Sequence, residues 1–135
     1  MPRRLTTLSS LHGLKLYQSS ILKWDVQAAL MNSRQPEMVF VFLVDVNMTE
    51  LPQGLLATDF PKKLLDIEMY GSNVSKLPND LASIWPSNMF LIIEKCQLQE
   101  TPIAVSSMNA RFLSLALNNI SSVPAQLLPS ASPSF

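Results

Sequence analysis

One arrangement of apolar and polar positions recurs along the chain. Two aliphatic residues stand two apart, a small or polar residue follows three later, another apolar residue follows two on, and Leu-Pro or a variant closes the phrase. The clearest copy has Leu64, Ile67, Met69, Ser72, Val74, Leu77 and Pro78. The next has Asn88, Leu91, Ile93, Cys96, Leu98 and Thr101-Pro102, and a third has Leu113, Leu115, Asn118, Ile120 and Val123-Pro124. Upstream, Val41, Leu43, Val46, Met48 and Leu51-Pro52 repeat it, and a weaker copy with Leu14, Leu16, Ser19, Ile21 and Trp24-Asp25 leads. The copies start at residues 11, 38, 64, 88 and 110, so the spacings are 27, 26, 24 and 22 residues.

Positions two apart lie on one face of a strand, and the residues between them lie on the other. Each copy therefore predicts a short strand with one apolar face, which it cannot bury alone. Stacking successive copies pairs the strands in parallel and joins the apolar faces into one column. The later apolar position (Val74, Leu98, Ile120) turns inward after the strand. The Leu-Pro step redirects the chain, because proline fixes its own φ and restricts its predecessor.

This pattern resembles the leucine-rich repeat family, L-x-x-L-x-L-x-x-N/C-x-L followed by x-x-L-P, whose repeats run about 20–29 residues. The resemblance covers residues 11 to about 128, with five copies in phase and four ending in proline. It implies an α/β fold: a leucine-rich-repeat solenoid, or horseshoe, with a parallel β-sheet on the concave face and short helices or irregular turns on the convex face. The expected organisation is an extension or remnant of an earlier repeat at 1–10, the repeat domain at 11–128, and a disordered Ser/Pro tail at 129–135. Among the return segments, Asp25–Met31 suits about two helical turns, Asn79–Ile84 suits the same before Pro86, and Ala125–Leu128 suits one turn.

The chain departs from the family at the position usually held by Asn. Here it carries Ser19, Val46, Ser72, Cys96 and Asn118, so burial rather than a side-chain ladder must supply most of the stability. A marginal fold with a loose first repeat and a broad melt is expected; a sharp melt above about 90 °C would contradict that. No terminal copy carries an evident polar cap, which leads us to expect a longer array around this segment.

Composition removes several function classes. The chain has 135 residues, 47% hydrophobic and 15% charged, with 10 basic and 10 acidic residues and no net charge. That balance opposes disorder and provides no field to attract nucleic acid or an anionic membrane. The longest apolar run, Met38–Val44, is far below the roughly 18 residues of a membrane span, so no membrane insertion by this chain is expected. The first residues fit a signal peptide poorly, because His12 and Lys15 interrupt the apolar part. One cysteine, Cys96, rules out an internal disulfide and is expected to be a small buried hydrophobe. One histidine, His12, offers no imidazole pair for a metal. Three glycines form no phosphate-cradling loop. No catalytic residues, metal ligands or cofactors are expected, and Asp66 and Glu68 are expected on a solvated strand face.

Two features remain. Sequons at Asn47, Asn73 and Asn119 occupy the same place in three copies; they fit either a glycosylated ectodomain or the chance product of an Asn- and Ser-rich repeat. The compartment stays open: extracellular or cell-surface within a larger receptor-like protein, otherwise cytoplasmic. The outward strand positions form columns, Gly13-Phe40-Asp66-Phe90-Phe112, then Lys15-Phe42-Glu68-Ile92-Ser114, then Tyr17-Val44-Tyr70-Glu94-Ala116. The resemblance makes the concave sheet face the usual ligand surface. Phe40, Phe42, Val44, Glu68, Tyr70, Phe90, Ile92 and Phe112 are thus the candidate ligand-binding residues for a protein or peptide partner, with aromatics as anchors. The competing expectation is that Phe40 and Phe42 pack against a missing neighbouring segment or are simply semi-buried. The expected function is a non-enzymatic recognition module. The alternative is a structural fragment of a larger receptor-like or kinase-linked repeat protein with no binding activity of its own.

Overall fold

The computed structural model describes residues 8–124. The turn expected at 125–128, the tail at 129–135 and residues 1–7 of the N-terminal extension lie outside the described residues.

Five strands follow in chain order: β1 (Gly13–Ser20), β2 (Phe40–Asn47), β3 (Asp66–Tyr70), β4 (Phe90–Glu94) and β5 (Phe112–Ser114). They form one sheet in the order β1-β2-β3-β4-β5, and every pairing is parallel. The register sets Gly13 beside Phe40, Phe40 beside Asp66, Asp66 beside Phe90 and Phe90 beside Phe112. Lys15, Phe42, Glu68, Ile92 and Ser114 align in the same way. These are the columns expected from the repeat phase.

The inward alternation follows the apolar pairs. Val41, Leu43, Ile67, Met69, Leu91 and Ile93 are each 0% exposed, and each such burial contributes roughly 1.5–3 kcal/mol relative to exposure. The alternation then slips by one residue. Gln18, Asp45, Gly71, Lys95 and Leu117, the eighth residue of every copy, all have positive φ, between 47° and 71°. A left-handed residue at this point turns the chain so that the next residue, and not its neighbour in the two-residue period, faces inward. Val46, Ser72 and Cys96 are buried in consequence, with Met48, Val74 and Leu98 two residues further on.

The return segments are shorter than the sequence suggests. Asp25–Met31 forms a single 3₁₀ turn, Val26–Ala28, although Asp25 caps it by accepting from the Gln27 N–H at 3.1 Å. Backbone groups that would extend this helix are used elsewhere. The Ala28 carbonyl accepts from Trp24 Nε1 at 2.7 Å, and the Leu30 N–H donates to the Gly54 carbonyl of the next copy at 2.9 Å. Asn79–Ile84 likewise narrows to a 3₁₀ turn at Leu81–Ser83, and another occurs at Gln53–Leu55. A one-turn helix, α1 (Val105–Met108), was not anticipated; it ends at Asn109 with φ 49°.

The core lies between sheet and return segments. Leu30, Leu55 and Leu81 stack at 0% exposure on the return side. Two tryptophans lock that side: Trp85 Nε1 donates to the Leu55 carbonyl at 2.8 Å, as Trp24 does to Ala28, and both rings are almost fully buried. The outer copies are less well covered. Leu14 and Leu16 in β1 are only partly buried, and Leu113 in β5 is 39% exposed although its neighbour Leu91 is at 0%.

Candidate interaction surface

The second face of the sheet carries the candidate ligand-binding residues, which are half-buried or exposed where the inward residues of the central strands are fully buried. Strand pairing sets neighbours in one column roughly 4.8 Å apart, so each column acts as a row of touching side chains. Phe40, Phe42, Val44, Glu68, Tyr70 and Ile92 are half-buried, while Phe90 and Phe112 are exposed at 40% and 49%.

The rings fall into two groups. Phe40 and Phe42 lie 4.8 Å apart between centroids, tilted by 34°. The Phe40 ring lies over Gly13, so closely that a Cβ there would come within 2.0 Å of it. This contact accounts for the half-burial of Phe40: it packs on the first strand and still shows an edge to solvent. Lys15 carries its ammonium over both rings, at 5.9 Å from the Phe40 centroid and 5.3 Å from that of Phe42. The second group is Phe90 and Phe112, 6.1 Å apart.

Between the two groups stand Asp66 and Glu68 on β3. Asp66 is flanked by Phe40 and Phe90, and Glu68 by Phe42 and Ile92. The expectation of a simply solvated carboxylate pair needs correction. Asp66 Oδ1 is screened from solvent and has no hydrogen-bond partner. Desolvation by the flanking side chains pushes both carboxyls above their ordinary range, and for Glu68 the nearby Asp66 charge adds to it. Glu94, in the next column, accepts from the Ser114 hydroxyl. Tyr70 beside it is raised by desolvation and by the three surrounding carboxylates. The result is an acidic band flanked by aromatic and aliphatic side chains. Lys15 and Glu94 were visible in the columns but not proposed as site residues, and Asp66 was expected to be solvated; the signal was their position beside the neighbouring columns' side chains, which only the register exposes.

The other singled-out residues lie away from this face. Asn47, Asn73 and Asn119 are exposed, and Asn73 Nδ2 donates to Asn47 Oδ1 at 2.7 Å across neighbouring copies. Cys96 is buried, its sulfur 3.2 Å from the Ser72 hydroxyl, which in turn accepts from the Val74 N–H. Asn118 bridges two copies, donating to the Ile93 and Leu115 carbonyls and accepting from the Leu98 N–H. His12 is exposed, and its carbonyl accepts from the Val39 N–H. Among the described residues no group of three or more His, Cys, Asp or Glu is placed to hold a metal ion, and no helix is long and apolar enough to cross a membrane.

No protein-family model, curated protein or solved structure matches the chain.

Proposed function

We propose that the chain is a leucine-rich-repeat solenoid that recognises a protein or peptide ligand through its open sheet face, without catalysis of its own. The observation that carries the reading is the set of aromatic rings on that face. Phe90 and Phe112 are exposed, Phe40 and Phe42 half-exposed, and all lie on a rigid parallel ladder. Rings held in this way provide large contact area with little conformational entropy left to lose. The left-handed residue at one position in all five copies supports the repeat architecture, because it gives each copy the same backbone path. Fold alone does not assign function; the exposed rings are what favour recognition.

The test is selection of binders from a random peptide display library against the folded chain, followed by mapping. Binders should lose affinity for Phe42→Ser and Tyr70→Ser variants whose thermal melts match the parent. Binders indifferent to both substitutions, or loss of binding only together with loss of folding, would refute the reading. A second reading, a structural segment of a larger repeat protein, draws on the incompletely covered Leu14, Leu16 and Leu113. It predicts that no mapped binder emerges and that a neighbouring repeat raises the melting temperature.

A further inference from the structure

We infer that the open sheet face takes a cationic, arginine-bearing peptide segment of a partner protein, with a guanidinium seated at Asp66 and Glu68 between the rings of Phe40 and Phe90. This deepens the reading above and rests on it.

Three observations point to that partner. First, the face is unbalanced in charge. Asp66, Glu68 and Glu94 stand on β3 and β4, while Lys15 is the one cation in the three columns, and it sits at the β1 side. The ion pairs formed among the described residues are Lys23–Asp25 and Lys63–Glu37, so none involves these three carboxylates. Second, Asp66 and Glu68 stand two apart on β3, each between apolar side chains of the neighbouring strands, so their negative charge is poorly solvated and a cation brought to them relieves it. Third, Lys15 already shows what the rings accept, since its ammonium lies over Phe40 and Phe42. The same quadrupole attraction is open to an incoming cation at the Phe90 side.

Arginine fits better than lysine. Asp66 and Glu68 present two carboxyls on one strand face, and the guanidinium fork matches carboxylate oxygens two at a time where an ammonium is a point charge.

The probe is a fluorescein-labelled nona-arginine peptide, followed by anisotropy in dilute salt, with nona-glutamate for comparison. Nona-arginine should bind and nona-glutamate should not. The double substitution Asp66→Asn with Glu68→Gln should weaken nona-arginine at least tenfold. Substitution of two exposed acids on another surface, Glu50→Gln with Glu100→Gln, should change it less than twofold. Independently of any variant, amide shifts of the unaltered protein on adding nona-arginine should cluster on β2–β4. Equal binding of the two peptides, an equal loss in the remote double variant, or shifts clustered around Glu50 and Glu100 would overturn the inference. The two readings separate cleanly. Display binders that map to this face, carry no excess of arginine and ignore Asp66→Asn leave the recognition surface standing and remove the cationic partner. Absence of any binder on the face removes both.

Discussion

Gly54 is the position where one added methyl group should cost most. A Cβ built there meets the Trp24 indole at 2.0 Å from Nε1, 2.1 Å from Cδ1 and 2.2 Å from Cε2, far inside van der Waals contact. The indole has no easy escape. It is 3% exposed, and its Nε1 is tied to the Ala28 carbonyl at 2.7 Å. The glycine cannot retreat either, because its N–H donates to the Trp24 carbonyl at 2.8 Å and its own carbonyl accepts from Leu30 at 2.9 Å. Relief therefore requires displacing a packed ring and weakening its hydrogen bond. Overpacking costs about 1–3 kcal/mol and the hydrogen bond about 0.5–1.5 kcal/mol. Alanine returns about 0.4–1 kcal/mol by stiffening the unfolded chain.

The expected net destabilisation of Gly54→Ala is about 1.5–3 kcal/mol, read from urea denaturation followed by far-ultraviolet circular dichroism. The mechanism is tested by the double-mutant cycle with Trp24→Leu. That substitution is itself destabilising, but it vacates the space, so adding Gly54→Ala to it should cost less than about 0.5 kcal/mol. A single Gly54→Ala variant as stable as the parent, or a cost unchanged in the Trp24→Leu background, would refute the steric argument.

Four further outcomes follow from the backbone, the open face and the core. Lys95 is exposed with φ 53°; Lys95→Gly should stabilise the chain by about 0.5–1 kcal/mol, since a left-handed L-residue costs about 1–2 kcal/mol and glycine about 0.5–1 kcal/mol in entropy. Gly71→Ala should do the reverse, because φ is +71° and its Cβ would come 2.4 Å from Asp45 Oδ1; urea midpoints check both. The raised carboxyls of Asp66 and Glu68 mean that the folded state holds their protons more tightly than the unfolded chain. Their contribution is therefore complete below the unfolded values and is lost as pH rises from the ordinary carboxylate range through the raised ones. Asp66→Asn should flatten that part of the stability–pH curve, and an unchanged slope would count against desolvation at this site. Native-state hydrogen exchange should rank the strands, with β1 amides opening at lower free energy than β3 amides, because Leu14 and Leu16 are partly buried where Ile67 and Met69 are at 0%.

The parallel ladder and its register were legible because the repeat phase constrains them twice. Ile67 and Met69 alternate within a strand, and the same pair recurs at a fixed offset in each copy, so strand and neighbour follow from one pattern. The short helices were less legible. Propensity suggested two turns after Asp25, yet the Ala28 carbonyl is taken by the Trp24 side chain and the Leu30 N–H by Gly54 of the next copy, and the second of these partners is not local in sequence. The environment of Asp66 was hidden for a related reason. Its two phenylalanine neighbours come from copies before and after it, so local charge pattern reads as solvated a group that the register shields.

The left-handed residues present a different case, since their identities give no hint. Only one of the five is glycine, and Lys95 and Leu117 are residues that ordinarily avoid positive φ. The signal lies in the spacing instead. Ile67 to Met69 is a step of two, and Met69 to Ser72 is a step of three. A strand keeps a period of two, so three inward residues spaced by two and then three require one residue between them to break the period. Leu91, Ile93 and Cys96 repeat the steps, as do Val41, Leu43 and Val46, and in each copy the break falls on the second residue after the inward pair: Asp45, Gly71, Lys95. The energy to hold an aspartate or lysine there comes from the inward residue that the break delivers. Burying Val46, Cys96 and the apolar residue two further on contributes more than the about 1–2 kcal/mol that the left-handed backbone costs. A phase jump in hydrophobic spacing, repeated across copies, thus specifies backbone geometry that no single residue in the copy reveals.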